Sequence, residues 1–178
     1  MFHALSECDT SSSFKGKGKK SFWQAWQAFE EVTETLAYLA SDSFKSLDDC
    51  EHFHKIERLI VIVYDKASTS HSINQTRKEL FCLKSATMEM SPTRNALLQH
   101  TKRAVYQASI WATSTEQQQE IPSPAKFAWE KVASGWVSVW LTVPELSRAC
   151  QVLKCSCKGD CSSCKCGKAQ LKCSPLCN

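Results

Sequence analysis

Residues 49–65 read DCEHFHKIERLIVIVYD, and their interpretation decides the fold class. Phe53, Ile56, Leu59, Ile60 and Val63 recur at steps of three and four, which places them on one stripe of an amphipathic helix from about Asp49 to Asp65. The β-branched triplet Val61, Ile62 and Val63 also suits a buried strand, so this stretch separates a mainly helical chain from a mixed one. Upstream, Phe22, Trp23, Trp26, Phe29, Val32, Leu36 and Leu39 carry the same helical period from Lys20 onward. Residues 6–18, rich in Ser, Gly and Lys, read as a loop. Downstream, Ser70, His71 and Ser72 make a polar break. Ser72 can cap a helix to about Leu83, with Arg77, Lys78 and Glu79 facing water. Ser91 as N-cap and Pro92 at the first helical position predict a further helix carrying Ala96, Leu97, Thr101, Ala104, Val105, Ala108 and Trp111. Thr113 to Pro124 is a polar linker. Phe127 to Trp129 and Trp136 to Trp140 flank Ala133, Ser134 and Gly135 as a short aromatic hairpin. Val143, Pro144 and Glu145 start a last helix to about Leu153. The expected class is mainly α, with a short β-hairpin and a small cysteine-rich tail that depends on zinc.

Composition fits this reading. The chain has 178 residues, 43% hydrophobic and 22% charged, with six Trp and eight Phe to build a core. No run of 18 apolar residues exists, and the start of the chain lacks a basic and then apolar leader, so neither a membrane span nor a signal peptide is expected. Without secretion a disulfide framework is disfavoured, and clustered cysteines read as metal ligands. Of 11 cysteines, seven lie in the last 24 residues. From Gln151 onward five lysines stand against Asp160 alone, giving this segment +4, the net charge of the whole chain. A second basic run, Lys15, Lys17, Lys19 and Lys20, lies near the N-terminus. Two separate basic spots suggest a polyanionic partner.

The tail places Cys155, Cys157, Cys161, Cys164, Cys166, Cys173 and Cys177 among almost no apolar residues. Such a segment cannot fold around a core, so metal binding must supply the folding free energy, on the order of 10 kcal/mol for a structural zinc. Thiolates are the soft ligands a zinc tetrahedron needs. Two Cys-x-Cys pairs project adjacent thiols to opposite sides of an extended chain, so they serve different ions. Two or more zinc ions with shared thiolates follow from the ligand count.

This spacing resembles the tesmin-type CXC domain, a three-zinc, nine-cysteine DNA-binding module. The match covers the first seven cysteine positions, with two gaps one residue shorter, and stops where a last Cys-x-Cys half is expected. The family often places a tyrosine before the second Cys-x-Cys, which enters the minor groove. Ser163 stands here, so that contact is not carried over. The resemblance implies that the lysines around the cluster, among them Lys158, Lys165 and Lys168, bind phosphates. The tail's Cys-x-Cys and Lys content also fits a metallothionein, which its attachment to an aromatic-rich region argues against.

Near the N-terminus Cys8, Asp9 and Thr10 precede Gly16, Lys17, Gly18, Lys19 and Lys20. Glycines before a helix, interleaved with lysines, can offer backbone N–H groups to a phosphate. The spacing from Asp9 resembles flap-endonuclease (XPG/PIN-like) nucleases. There the Asp ligates a catalytic divalent ion, and the glycine hairpin opens a helix–turn–helix gripping the DNA backbone. Glu7 and Thr10 depart from the pattern, and a two-metal site needs several carboxylates. Asp9 is therefore at most a vestigial ligand, with Mg2+ a cofactor only in a longer parent, and no nuclease activity is expected of this chain.

Across nearly its whole length the chain resembles uncharacterised, often multi-copy, transposon-associated animal proteins with a C-terminal CXC segment. The likeness rests on runs such as Arg77 to Phe81, Ala96 to His100 and Ile121 to Ala125. It implies a fragment, cut at both ends, and carries over no activity; the CXC resemblance and the two basic spots are what predict a nuclear, DNA-associated protein. The expected domains are a helical region over 1–112, linker, hairpin and short helix over 113–154, and a partial zinc segment over 155–178. The alternative is an incomplete metal-dependent flap-type nuclease whose other carboxylates lie upstream.

Other candidates have plainer readings. His52 and His54 point about 200° apart on a helix and are surface residues. Cys8, Cys50, Cys82 and Cys150 are expected as buried thiols, Cys150 being the one spare ligand. Trp129, Trp136 and Trp140 suit base stacking, but their alternation fits a packing face better. Glu30, Glu31 and Glu34 read as a solvated helix face.

Overall fold

A computed structural model describes residues 1–41, 47, 51–83 and 90–142, with the backbone alone at 81–83. In chain order its elements are α1 (Phe2–Ser6), α2 (Lys19–Ala28), α3 (Val32–Ala40), α4 (Glu51–Tyr64), α5 (Ile73–Leu83), α6 (Arg94–Ala112), a 3-10 turn (Pro124–Lys126), β1 (Trp129–Val132) and β2 (Gly135–Ser138). The chain divides into two units, Met1–Thr142 and Val143–Asn178. The predicted helix from Val143 and the seven tail cysteines lie outside the described residues, as do Cys50 and Cys150. No helix among the described residues is long and apolar enough to cross a membrane.

The deciding stretch is helical. In α4 every residue from Leu59 to Tyr64 is buried, not just the predicted stripe. A helix that is apolar on all sides must be surrounded, and α4 packs against α2, α3, α5 and α6. The strand alternative for Val61–Val63 is thereby removed. One carboxylate enters this core. Glu57, 2% exposed, accepts from the Ile73 backbone N–H at 2.9 Å and from Arg94 Nε at 3.1 Å. It thus satisfies a first-turn donor of α5 and joins α4, α5 and α6 in one contact.

The predicted single helix from Lys20 is two helices. Phe29 leaves the helical region at φ −141, ψ 68 and its N–H closes a tight turn onto the Trp26 carbonyl at 3.0 Å. Trp26 Nε1 then donates to Thr33 Oγ1 at 2.7 Å, fixing the bend. A straight helix over this span would run about 30 Å. Breaking it lets Phe22 and Ala25 reach α4 while Val32, Leu36 and Leu39 pack α3 against both α4 and α6. Trp23, counted on the apolar stripe, is 52% exposed. Glu30, Glu31 and Glu34 are exposed as expected.

Two helix starts differ in kind. Ser72 precedes α5 and its Oγ accepts from Gln75 N–H at 3.4 Å, as predicted. At α6 the N-cap is Thr93, whose hydroxyl accepts from Ala96 N–H at 3.2 Å. Ser91, the predicted cap, is fully buried and its carbonyl accepts from Arg77 Nη1. That bond draws Arg77 off the surface, so of the trio expected to face water only Lys78 is fully exposed.

The hairpin is present. β1 and β2 pair antiparallel, Trp129 with Ser138 and Val132 with Gly135. Gly135 has φ +130 with open space where a Cβ would stand, so glycine is needed there for backbone conformation rather than room. The expected packing face is not formed: Trp136 and Trp140 are 40% and 59% exposed, and Trp129 is half-buried.

Candidate functional site

The longest of the described helices, α6, carries the polar residues that organise this region. His100 and Arg103 sit three apart on α6, hence on one face. His100 also falls on the buried stripe with Leu97 and Ala104. Above them lies the loop between α1 and α2. Thr10 Oγ1 donates to Gln107 Oε1 at 2.7 Å, and Ser11 Oγ donates to the Ala4 carbonyl at 2.9 Å. The first bond holds the loop against α6 and the second holds it against α1.

A proton chain can be read directly from the partners. His100 Nε2 lies 2.8 Å from the Leu5 carbonyl, which only accepts, so Nε2 carries the hydrogen. Nδ1, 2.6 Å from Ser12 Oγ, then accepts from the hydroxyl. Ser12 Oγ in turn accepts from Arg103 Nη2 at 3.3 Å, and Arg103 Nη1 donates to the Val139 carbonyl at 2.7 Å. The imidazole is 4% exposed. Burial lowers its pKa from 6.5 to about 4, the Leu5 bond opposing and the Arg103 charge adding to that shift. Burial also lowers the Arg103 pKa.

The predicted glycine–lysine motif follows at once. Phe14 and Lys17 close a tight turn, the Lys17 N–H donating to the Phe14 carbonyl at 3.0 Å, with Gly16 at φ +70. A left-handed position in a turn favours glycine. Gly18, extended, is the N-cap of α2 and supplies no side-chain cap. Gly16, Gly18, Lys19 and Lys20 are exposed. Lys17 lies over the Tyr64 ring at 5.5 Å, and Lys19 Nζ donates to the Glu7 carbonyl at 2.8 Å. The five residues from Gly16 to Lys20 therefore form one continuous basic edge.

Between this turn, α6 and Trp140 is a groove of about 230 Å³, lined in part by Ser12, Lys15, Tyr64, His100 and Arg103. Trp140 lies over the Arg103 guanidinium at 4.9 Å. The sequence reading singled out the glycines and lysines but not Ser12, His100 or Arg103. The signal was there in His100, a histidine at the three-residue step after Leu97 on an apolar stripe.

Other predicted residues do not join this site. Asp9 is exposed, and among the described residues no three potential ligands gather to hold a metal. Cys8 is half-buried rather than buried, its thiol 3.3 Å from Ser11 Oγ. His52 stacks on Tyr38 at 3.9 Å, whereas His54 sits 3.8 Å from Glu57 Oε2, so the pair diverges. Cys155, Cys157, Cys161, Cys164, Cys166, Cys173, Cys177, Lys158, Lys165 and Lys168 lie outside the described residues. No family model matches the chain, and no curated protein or solved structure matches it either.

Proposed function

We propose that the chain is a zinc-binding, DNA-associated nuclear protein, derived from a mobile-element protein, that grips the phosphate backbone. The observation that carries this reading is the cysteine spacing of the tail, with two Cys-x-Cys pairs in a segment holding the chain's entire net charge. Cys155, Cys157, Cys161, Cys164, Cys166, Cys173 and Cys177 would hold two or more zinc ions, and seven thiols are a donor set suited to that ion. Lys158, Lys165 and Lys168 would then lie on phosphates around the cluster. The basic edge from Gly16 to Lys20 supports a second contact, since it is largely exposed and opens a helix.

The test is binding of the full chain to random duplex DNA over a range of salt, with zinc and with a chelator. The expected result is zinc-dependent binding whose log affinity falls linearly with log salt. Lys20→Gln and Lys158→Gln should each reduce that slope by about 0.9. Binding indifferent to zinc, or a slope unchanged in both variants, overturns the reading.

A further inference from the structure

Arg103 is an unusual cation. It is 3% exposed, yet its two hydrogen-bond partners, the Val139 carbonyl and Ser12 Oγ, are both neutral. Buried charges are normally paired with an opposite charge, because desolvation is otherwise uncompensated. No carboxylate pairs with it among the described residues, whereas the comparable Arg94 on the same helix meets Glu57. The missing charge has a place to sit. The guanidinium borders the groove of about 230 Å³, and no acidic residue lines it among the described residues. That volume equals several waters at about 30 Å³ each, enough for a small oxyanion with part of its hydration.

The rest of the wall suits the same guest. Lys15 is exposed on the turn that forms one side of the groove, adding a second cation. Trp140 covers one face of the guanidinium, and Ser12 and the Val139 carbonyl hold its fork from two directions. So held, the guanidinium is fixed in orientation and keeps its remaining N–H donors for an oxyanion. His100 keeps Ser12 in place through its own two bonds and acts as a positioning residue.

We propose that this groove binds one phosphate group, either free or as the ester of a nucleic acid, through Arg103 and Lys15. Two cations, with no acid among the described lining residues, favour phosphate over a carboxylate, because phosphate brings more negative charge and more acceptor oxygens. The site is built wholly from residues 12–140, so it stands or falls apart from the cysteine tail and from zinc.

The test is an NMR titration of the isotope-labelled full chain with inorganic phosphate, and with acetate at equal ionic strength. Saturable shifts centred on Ser12 to Lys15 and on the Arg103 side chain are expected with phosphate only. Lys15→Glu, an exposed change that leaves the core intact, should weaken binding about tenfold or more. Arg103→Lys, if folded, should weaken it while keeping the charge. Displacement of phosphate by a short oligonucleotide identifies the nucleic-acid backbone as the source; no displacement identifies free phosphate, and both support the site. Linear shifts spread over the surface, or saturation unaffected by Lys15→Glu, mean an adventitious ion only and overturn the proposal. Equal saturation by acetate also overturns it.

Discussion

The run Leu59 to Tyr64 and the hairpin Trp129 to Ser138 use similar residues and end in opposite conditions. The first is five aliphatic residues and a tyrosine, all buried within a helix. The second sets Val132, Trp136 and Val137 on strands, where they are 37%, 40% and 41% exposed. β-branched and aromatic residues favour strands in general, so propensity alone would exchange their roles. What separates them is the reach of the deciding interactions. The helix extends a stripe begun at Phe53, and four neighbouring helices cover its other sides. The hairpin is decided within ten residues, by a turn whose Gly135 adopts φ +130. One region is specified by what surrounds it, the other by its own turn.

That contrast can be broken by truncating matched side chains. Ile60→Ala in α4 removes a fully buried side chain and should cost about 3 kcal/mol, from lost burial and the cavity left behind. Urea denaturation followed by far-UV circular dichroism reads it directly. A cost under about 0.5 kcal/mol would mean that α4 is not enclosed as described.

Acid should loosen the helical core before it reaches the hairpin, which has no histidine. His100 faces Leu5 and Ser12 from the N-terminal segment, Phe14 from the turn and Arg103 on its own helix. With a folded pKa of about 4 against 6.5 unfolded, only the unfolded chain takes up this proton between those values. The associated stability is complete above about pH 6.5 and is lost as pH falls toward 4, a change of about 3 kcal/mol. Denaturation midpoints across this window, compared with His100→Gln, check the sign; a variant with the same pH slope would remove His100 as the cause.

At the small end, Val137→Ala on the hairpin should change global stability by no more than about 0.5 kcal/mol, as expected for an exposed site. A loss matching that of Ile60→Ala would show that the hairpin is covered in solution and erase the contrast.

Legibility followed the same division. Periodicity marked α4, Ser72 marked the start of α5, and Gly135 marked the hairpin, because each is a local signal. The break at Phe29 was not legible: it has no proline or glycine, and only the need to wrap two short helices around α4 explains it. Ser91 and Pro92 made a sound capping signal, yet burial of Ser91 and its bond to Arg77 moved the start of α6 to Arg94. Glu57 read as a polar position and became a core anchor, since its partners come from α5 and α6. At the groove, Gly16 and the lysines were visible as a motif. Arg103 was not, because the burial of one arginine depends on a loop about 90 residues earlier in sequence.

By itself the sequence determined the helical class, the hairpin turn, the basic edge from Gly16 to Lys20 and the crowding of cysteines in a charged tail. These depend on residue type and spacing over at most a few turns of chain. Only the tertiary structure decided that α4 is enclosed on every side from Leu59 to Tyr64, that Glu57 and His100 are buried, and that Arg103 lacks an acid among the described residues beside an open groove. Burial and charge pairing are properties of neighbours distant in sequence, and spacing along the chain does not contain them.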